Sequence, residues 1–475
     1  MKRIITILAF ALLFVSCKDF LNQAPQTSQS DVLTMSEYTG LNKATVGAYS
    51  PLFSANWYGS DYVLDAEMRS GNGKRPAESD YTSGRFIVPY ALDYNQSSTP
   101  ALWGTAYYVI SCANNVIANL EGKASATVEQ QDLNNLHAEC LFLRALAHFD
   151  LVRLYAQPYT YQPDGLGVPI INEPQDPTNQ PPRNTVKEVY DFIVADLKEA
   201  EGLIADGYTR SSISDPASSV TKPAIQALLS RAYLYMGQWQ NAADYATKVI
   251  NNSKFRMWTA SQYATVWGAD VPAQGEVIFE IYGARTNSYD PFWLGVSYMT
   301  NPAGYADCAA SNDLVFMYDP DDVRGTLFKG VDNVDNLFWT TKYRGKGRAQ
   351  PDVTNLIVLR LSEMYLNRAE AIVNGASVSG ATAVSDLNVI TSNRNAPSYA
   401  AVTREDVFQE RRKELAWEGH LWFDYARCNR GMVRTDFTGT NTVNKDIPFP
   451  DYRWAMPISQ RELDANENLV QNNGY

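Results

Sequence analysis

Histidine is nearly absent from this chain of 475 residues, which has only His137, His148 and His420. Each falls in a stretch patterned as helix, so a histidine metal cluster or a Ser-His-Asp relay has little to draw on. Cysteine is also sparse. The five residues Cys17, Cys112, Cys140, Cys308 and Cys428 include no C-x-x-C pair and no metal-ligand spacing, which argues against zinc binding and thiol redox chemistry. No basic cluster interrupts a formal charge of −12, so neither a nucleic-acid groove nor a polybasic membrane patch is expected. No metal, cofactor or catalytic residue is predicted. What the chain has in quantity is apolar and aromatic surface: 45% of residues are hydrophobic, with 29 Tyr and 10 Trp. That is enough for a large core, with a surplus of aromatics available to a binding face.

The N-terminus reads as an export signal. Lys2 and Arg3 precede an apolar run from Ile4 to Val15 that is too short to span a bilayer. The run ends Leu13-Phe14-Val15-Ser16-Cys17, which resembles a lipobox, with Phe14 where an aliphatic residue is usual. Residues 1–16 are therefore expected to be a signal peptide, Cys17 the lipidated N-terminus, residues 17–30 a tether, and residues 31–475 a single domain. Two acyl chains on Cys17 would supply stable membrane anchoring. If Cys17 is lipidated, four cysteines remain, and their pairing is open on sequence alone. Cys112 and Cys140 sit on apolar helix faces and read as small packed residues.

The predicted fold is mainly α-helical: a tetratricopeptide-repeat-like scaffold carrying long irregular loops and short strands. Between about Pro100 and Gln157 two long helices are expected. Leu133, Leu136, Cys140, Leu143, Leu146, Ala147 and Leu151 recur at three- and four-residue steps as one apolar stripe, and Pro158 stops that helix. A proline-rich crossing, Pro163 to Pro182, leads to a helix opened by the capping box Thr185/Glu188. From Ala224 to Ile250, small and large residues alternate around Gly237 as in a repeat hairpin. Further helix pairs are expected at Leu359 to Asn374 and Ala381 to Trp417, the latter with a Thr403/Asp406 capping box and a Val402/Val407 staple. Two segments, Ser30 to Thr99 and Phe255 to Pro351, are rich in Gly, Pro, Asn, Asp, Tyr and Trp and read as loops and short strands where function would lie.

Four stretches carry a family resemblance. Leu359 to Ala371 contains Arg368-Ala369-Glu370. Glu410 to Asp424 runs Glu-Arg-Arg-Lys-Glu-Leu-Ala-Trp-Glu-Gly-His-Leu-Trp-Phe-Asp. The end combines Met456-Pro457-Ile458-Ser459 with Glu462-Leu463-Asp464 and Gln471-Asn472-Asn473-Gly474-Tyr475. Upstream stand Cys140 to Ala145 and Phe149 to Tyr155. Together these resemble the SusD/RagB family. The resemblance implies a non-enzymatic lipoprotein of the outer membrane, facing the extracellular side. Such a protein captures oligosaccharide or polysaccharide for a SusC-like TonB-dependent transporter, over whose mouth it lies.

The Glu410 to Glu418 charges stand at three- and four-residue spacings and are expected to form helix-surface ion pairs, partly buried against Arg368 or Glu370. The rival reading, a glycosidase carboxylate pair, is disfavoured because neighbouring arginines would depress the proton donor. A peptide- or protein-binding repeat adaptor is the other alternative. A sugar site needs flat aromatic platforms edged by polar groups. The expected platform is Trp293, Trp339 and Tyr94, with Asn95 and Arg69 as rim donors and Asp65, Asn72, Tyr289 and Tyr298 nearby. Trp103, Trp239 and Trp417 are assigned to the core.

Overall fold

The computed structural model describes residues 35–77, 84–176, 178–211, 216–269, 275–283, 295–331, 334–344, 354–439 and 442–475. The expected signal peptide, Cys17 and the tether lie outside the described residues. So do Tyr289 and Trp293.

The architecture is mainly α, with sixteen helices and six short strands among the described residues. Its centre is the 26-residue helix Gln130–Tyr155, opened by a reciprocal cap between Glu129 and Asp132. Helices Leu102–Ile117 and Val186–Leu203 pack on it. The sequence pattern marked one apolar stripe here, but every residue from Ala138 to Tyr155 is buried. The polar positions that suggested a wet face are satisfied internally. Arg144 pairs with Asp196 at 2.8 Å, and Asp150 accepts hydrogen bonds from Trp57 Nε1, Tyr58 and Tyr62 at 2.8, 2.7 and 2.9 Å. A buried polar side chain that keeps its partners costs little, so polarity at those positions did not report exposure.

The repeat hairpin forms as expected from helices Lys222–Tyr235 and Trp239–Ile250, with Gly237 at φ +67° in the reversal. The capping boxes Thr185/Glu188 and Thr403/Asp406 both close. The segment from Leu359 is mixed: Leu356–Arg360 is a strand, antiparallel to Val277–Ile281, and the helix runs Leu361–Val373. A second sheet orders its strands Gly73–Lys74, Ala309–Ala310, Phe338–Thr340 and Phe328–Gly330, antiparallel throughout.

The N-terminal segment read as loop is substantially helical, with Tyr38–Tyr49, Asp61–Ser70 and Ile87–Ala91. Gly71 turns the chain after the second of these helices, and Trp57 and Tyr58, between the first two, are core residues. One hydrophobic cluster runs from Ala48 to Ile458. Cys112, Cys140, Cys308 and Cys428 are free thiols, Cys140 buried and Cys112 half-buried.

The motif at Glu410 to Glu418 forms a buried ionic cluster. Glu414 accepts from Arg360 at 2.6 Å, Arg394 at 2.8 Å and Arg324 at 3.1 Å. Arg394 also reaches Glu276 at 2.6 Å, Arg360 and Lys342 each hold Glu418 at 2.7 Å, and Arg324 holds Asp322 at 2.7 Å and Glu410 at 2.5 Å. The expected helix-surface pairs against Arg368 or Glu370 do not form. Arg368 pairs with Asp386 and Glu370 with Arg427, because the motif helix turns its charged face inward onto three arginines from other elements. Burial pushes the Glu414 carboxyl upward, but Arg394, Arg360 and Arg324 together outweigh it and hold it well below its ordinary value.

Candidate glycan-binding cleft

Helix Asp61–Ser70 carries the polar wall of a cleft of about 360 Å³. It begins after Gly59, where any Cβ would strike the Phe53 carbonyl oxygen at 2.3 Å, and it ends at Gly71 in the left-handed region. Ser60, Asp61 and Asp65 line the cleft on one side. Opposite them stand Arg85, Phe86, Val88 and Pro89, then Tyr94, then Ser98 to Ala101 at the entry to helix Leu102–Ile117, with Met299 completing the lining.

The family motif holds this helix in place. The Gly419 amide donates to Glu67 Oε1 at 2.7 Å, Arg412 Nε donates to Asn72 Oδ1 at 2.9 Å, and the Tyr62 and Phe423 rings pack at 5.6 Å. Arg69 lies between the rings of Tyr94 and Trp422, 5.4 and 5.6 Å from their centroids. The other side is fixed by segment 295–310. Val296 N donates to the Gly59 carbonyl at 3.2 Å. Arg85 pairs with Asp307 at 2.9 Å and lies 3.8 Å over the Tyr305 ring, which in turn meets Tyr298 edge-on at 5.2 Å.

Two carboxyls in this cleft are hard to ionise. Asp61 is raised to about 7 by burial and then by the neighbouring charge of Asp65. Asp65 is raised to about 6 by burial, against the pull of Arg69 and of the Tyr94 hydroxyl at 3.1 Å. The cleft thus presents carboxylate acceptors, a guanidinium donor and hydroxyls beside aromatic rings, the combination that suits a polyhydroxylated ligand. Asp61 and Asp65 stand one turn apart on one face of one helix. The Glu410, Glu414 and Glu418 carboxylates are buried and out of a substrate's reach.

The predicted site residues are distributed as follows. Asp65 and Tyr94 do line the cleft, Tyr94 by an edge only at 8% exposure. Asn95 is exposed, its Oδ1 accepting from the Ser97 amide. Tyr298 is half-buried beside Tyr305. Three assignments are corrected. Trp339 is 0% exposed and donates from Nε1 to the Ala306 carbonyl at 3.0 Å, so it packs the small sheet and offers no platform. Arg69 is buried behind the cleft wall, where it braces Asp65 and Tyr94. Asn72 is buried between Glu67 and Arg412 and is no rim donor. Trp103 and Trp417 are core residues, while Trp239 is half-buried against the core. Asp61, Arg85 and Phe86 were missed. The signal was present: Asp61, Asp65 and Arg69 recur every four residues, which is a helix face.

Residues 19–234 match a family described as starch-binding and associating with the outer membrane, and residues 325–475 match the SusD family. A SusD superfamily protein of Bacteroides thetaiotaomicron is 31% identical, with a TM-score of 0.80 over 91% of this chain and 98% of its own. The chain belongs to the SusD/RagB family. A putative sugar-binding protein of Bacteroides vulgatus superposes with a TM-score of 0.82 at 29% identity, over 92% of this chain and 99% of its own. A SusD-like protein of Formosa agariphila, P2, is 25% identical over 99% of both chains. The SusD-like chain is thus a member of a glycan-binding, outer-membrane-associated family.

Proposed function

We propose that this SusD-like protein is a non-enzymatic, lipid-anchored receptor on the extracellular side of the outer membrane. In this reading it binds oligosaccharide in the cleft beside helix Asp61–Ser70 and delivers it to a SusC-like TonB-dependent transporter. The observation that carries the reading is the cleft itself, lined by Asp61, Asp65, Arg85 and the hydroxyls of Ser98 and Thr99 together with Phe86 and Tyr94. Among the described residues no helix is long and apolar enough to cross a membrane. A binder confined over a pore can work with modest affinity, because tethering raises the local ligand concentration and a weak complex still releases the sugar.

The cleft is tested by filling it. Ala101 is exposed at its rim, one residue before helix Leu102–Ile117, so Ala101→Trp should block the ligand with little effect on folding. For an affinity between micromolar and millimolar, total binding free energy is about 4–8 kcal/mol. Calorimetry with a sugar first identified on a glycan array should show at least tenfold weakening in Ala101→Trp and in Arg85→Ala, whose side chain lines the cleft, the first with a melting temperature close to wild type. Two variants that bind like wild type would place the ligand elsewhere.

Anchoring is tested separately. Cys17→Ala should abolish palmitate labelling and move the protein from the membrane to the soluble fraction. With Cys17 intact, a mild-detergent pull-down should recover a barrel of the transporter type. Continued labelling of the variant would remove the lipidation assignment, and recovery of the wild-type lipoprotein alone would remove the stable partner.

A further inference from the structure

A second cavity opens in the repeat scaffold, of about 690 Å³ against about 360 Å³ for the cleft. Its floor is strand Val277–Ile281, with Val277 and Ile278 in the lining. Its walls are the turn 206–209 after helix Val186–Leu203, the first turn of helix Lys222–Tyr235, and the turn 252–255 after helix Trp239–Ile250. The two linings share no residue. The central helix measures how far apart they lie. Tyr208, in this cavity, donates its hydroxyl to Glu139 at 2.7 Å, whereas Pro100, in the cleft, accepts from the Tyr155 hydroxyl at 2.6 Å. Along the helix Gln130–Tyr155, the rise from Glu139 to Tyr155 is about 24 Å. The cavity is therefore no extension of the cleft.

Its lining is built for a polyhydroxylated ligand. Two rings belong to it, Tyr208 and Phe255, and both are packed against the core, so they are held in place before any ligand arrives. The polar groups are oriented in the same way, each by one bond within the protein. Thr221 Oγ accepts from the Ala224 amide at 3.3 Å and keeps its hydroxyl hydrogen. Gln226 Nε2 donates to Glu201 at 2.8 Å and keeps its carbonyl oxygen. Asn252 Oδ1 accepts from the Lys254 amide at 3.1 Å and keeps its amide hydrogens. Lys222 and Asp206 pair at 2.5 Å and neutralise each other, and the buried Glu280 accepts from Asn355. Oriented donors and acceptors thus stand beside fixed rings and an apolar floor. Sugar hydroxyls both donate and accept, and the C–H faces of a sugar ring suit aromatic surface. The volume is that of a small-molecule site.

Resting on the reading that this chain binds glycan, but not on the cleft, we propose that this cavity is a second carbohydrate site. It takes a short neutral oligosaccharide, independently of the first site, so that each chain carries two. The first site is formed by helix Asp61–Ser70 and the segments packed on it; the second is formed by the helical repeats themselves.

The test is equilibrium dialysis of the full-length protein in mild detergent, which counts bound sugars per chain, with maltotetraose, cellotetraose, mannotetraose, xylotetraose and, as a peptide probe, tetra-alanine. A tetrasaccharide that binds should saturate at two per chain. Thr209 and Lys254 are exposed at the rim of the cavity, so Thr209→Trp and Lys254→Trp should each remove one of the two. The sugar that remains in the cleft reports that each variant is folded. Ala101→Trp should remove the other sugar, and the double variant Ala101→Trp/Thr209→Trp should remove both. Sugar binding unchanged in both rim variants overturns the second site, and the cleft stands if Ala101→Trp still blocks it. One sugar per chain, kept in Ala101→Trp and lost in both rim variants, supports this site and overturns the cleft. If tetra-alanine binds, and only its binding is lost in the rim variants, the ligand class is wrong. If no sugar binds the wild type, both sites fall with the glycan reading.

Discussion

Replacing Glu414 with Gln should destabilise the protein by about 3–5 kcal/mol, enough to leave little folded material at physiological temperature. Glu414 is the shared acceptor of Arg324, Arg360 and Arg394, and every side chain in that set is essentially solvent-free. An amide keeps the shape but turns one oxygen into a donor aimed at guanidiniums and leaves three buried cations short of an anion. The matched control is Glu405→Gln, whose partner Arg430 lies 2.8 Å away on the surface with side chains 54% and 35% exposed. Surface pairs of this kind contribute about 0–1 kcal/mol. Urea denaturation of both variants measures the difference directly, and a loss below about 1 kcal/mol for Glu414→Gln would remove the cluster as a source of stability. The pH dependence has a definite sign. A carboxyl held below its ordinary value of 4.5 stabilises the fold at pH above that value, and the contribution is lost as the pH falls toward the depressed one. Wild type should therefore lose stability steeply in acid, and Glu414→Gln less so.

The cluster also shows what the sequence could and could not reveal. The spacing of Glu410 and Glu414 marked a charged helix, but Glu418 lies past its end at Glu414, and the pairing expected on the surface is buried. The arginine partners of Glu414, Arg394, Arg360 and Arg324, stand 20, 54 and 90 residues away, and no local spacing announces them. Helix ends were legible because capping is local: Thr185 with Glu188 and Thr403 with Asp406 close their caps as read. The same logic failed for helix Asp61–Ser70. Its residues are buried on almost every side, so it lacks the apolar stripe by which a surface helix is recognised, and Asp65, Glu67 and Arg69 look like loop residues. The cleft's composition was therefore only half visible. Tyr94 and Asp65 were placed in it by type and region, whereas Asp61 and Arg85 needed the fold that sets residues 60–65 against residues 85–101.

Trp339→Ala should destabilise the protein by about 3–5 kcal/mol, as large-to-small changes of buried aromatics do. On sequence, a tryptophan in a Gly- and Asn-rich stretch reads as a ligand platform, because apolar periodicity is too short there to assign it to a core. In the fold it sits in the middle of strand Phe338–Thr340, covered by Ala306, Ala309 and Leu337, with its indole N–H on the Ala306 carbonyl. A two-residue strand on one side and a three-residue strand on the other cannot bury much by themselves, so this one side chain supplies much of the small sheet's packing. The consequence for function is indirect. Ala306 precedes Asp307, which holds Arg85 over the cleft, so loosening the sheet releases the far wall of the site. Trp339→Phe separates the two roles, since it keeps most of the buried area and gives up one hydrogen bond, about 0.5–1.5 kcal/mol. Thermal melts together with glycan titrations should show Trp339→Phe slightly less stable and binding within about twofold of wild type, and Trp339→Ala strongly destabilised. The opposite pattern, full stability with at least a tenfold loss of sugar affinity, would mean that the indole faces the ligand after all and that the sheet opens when glycan binds.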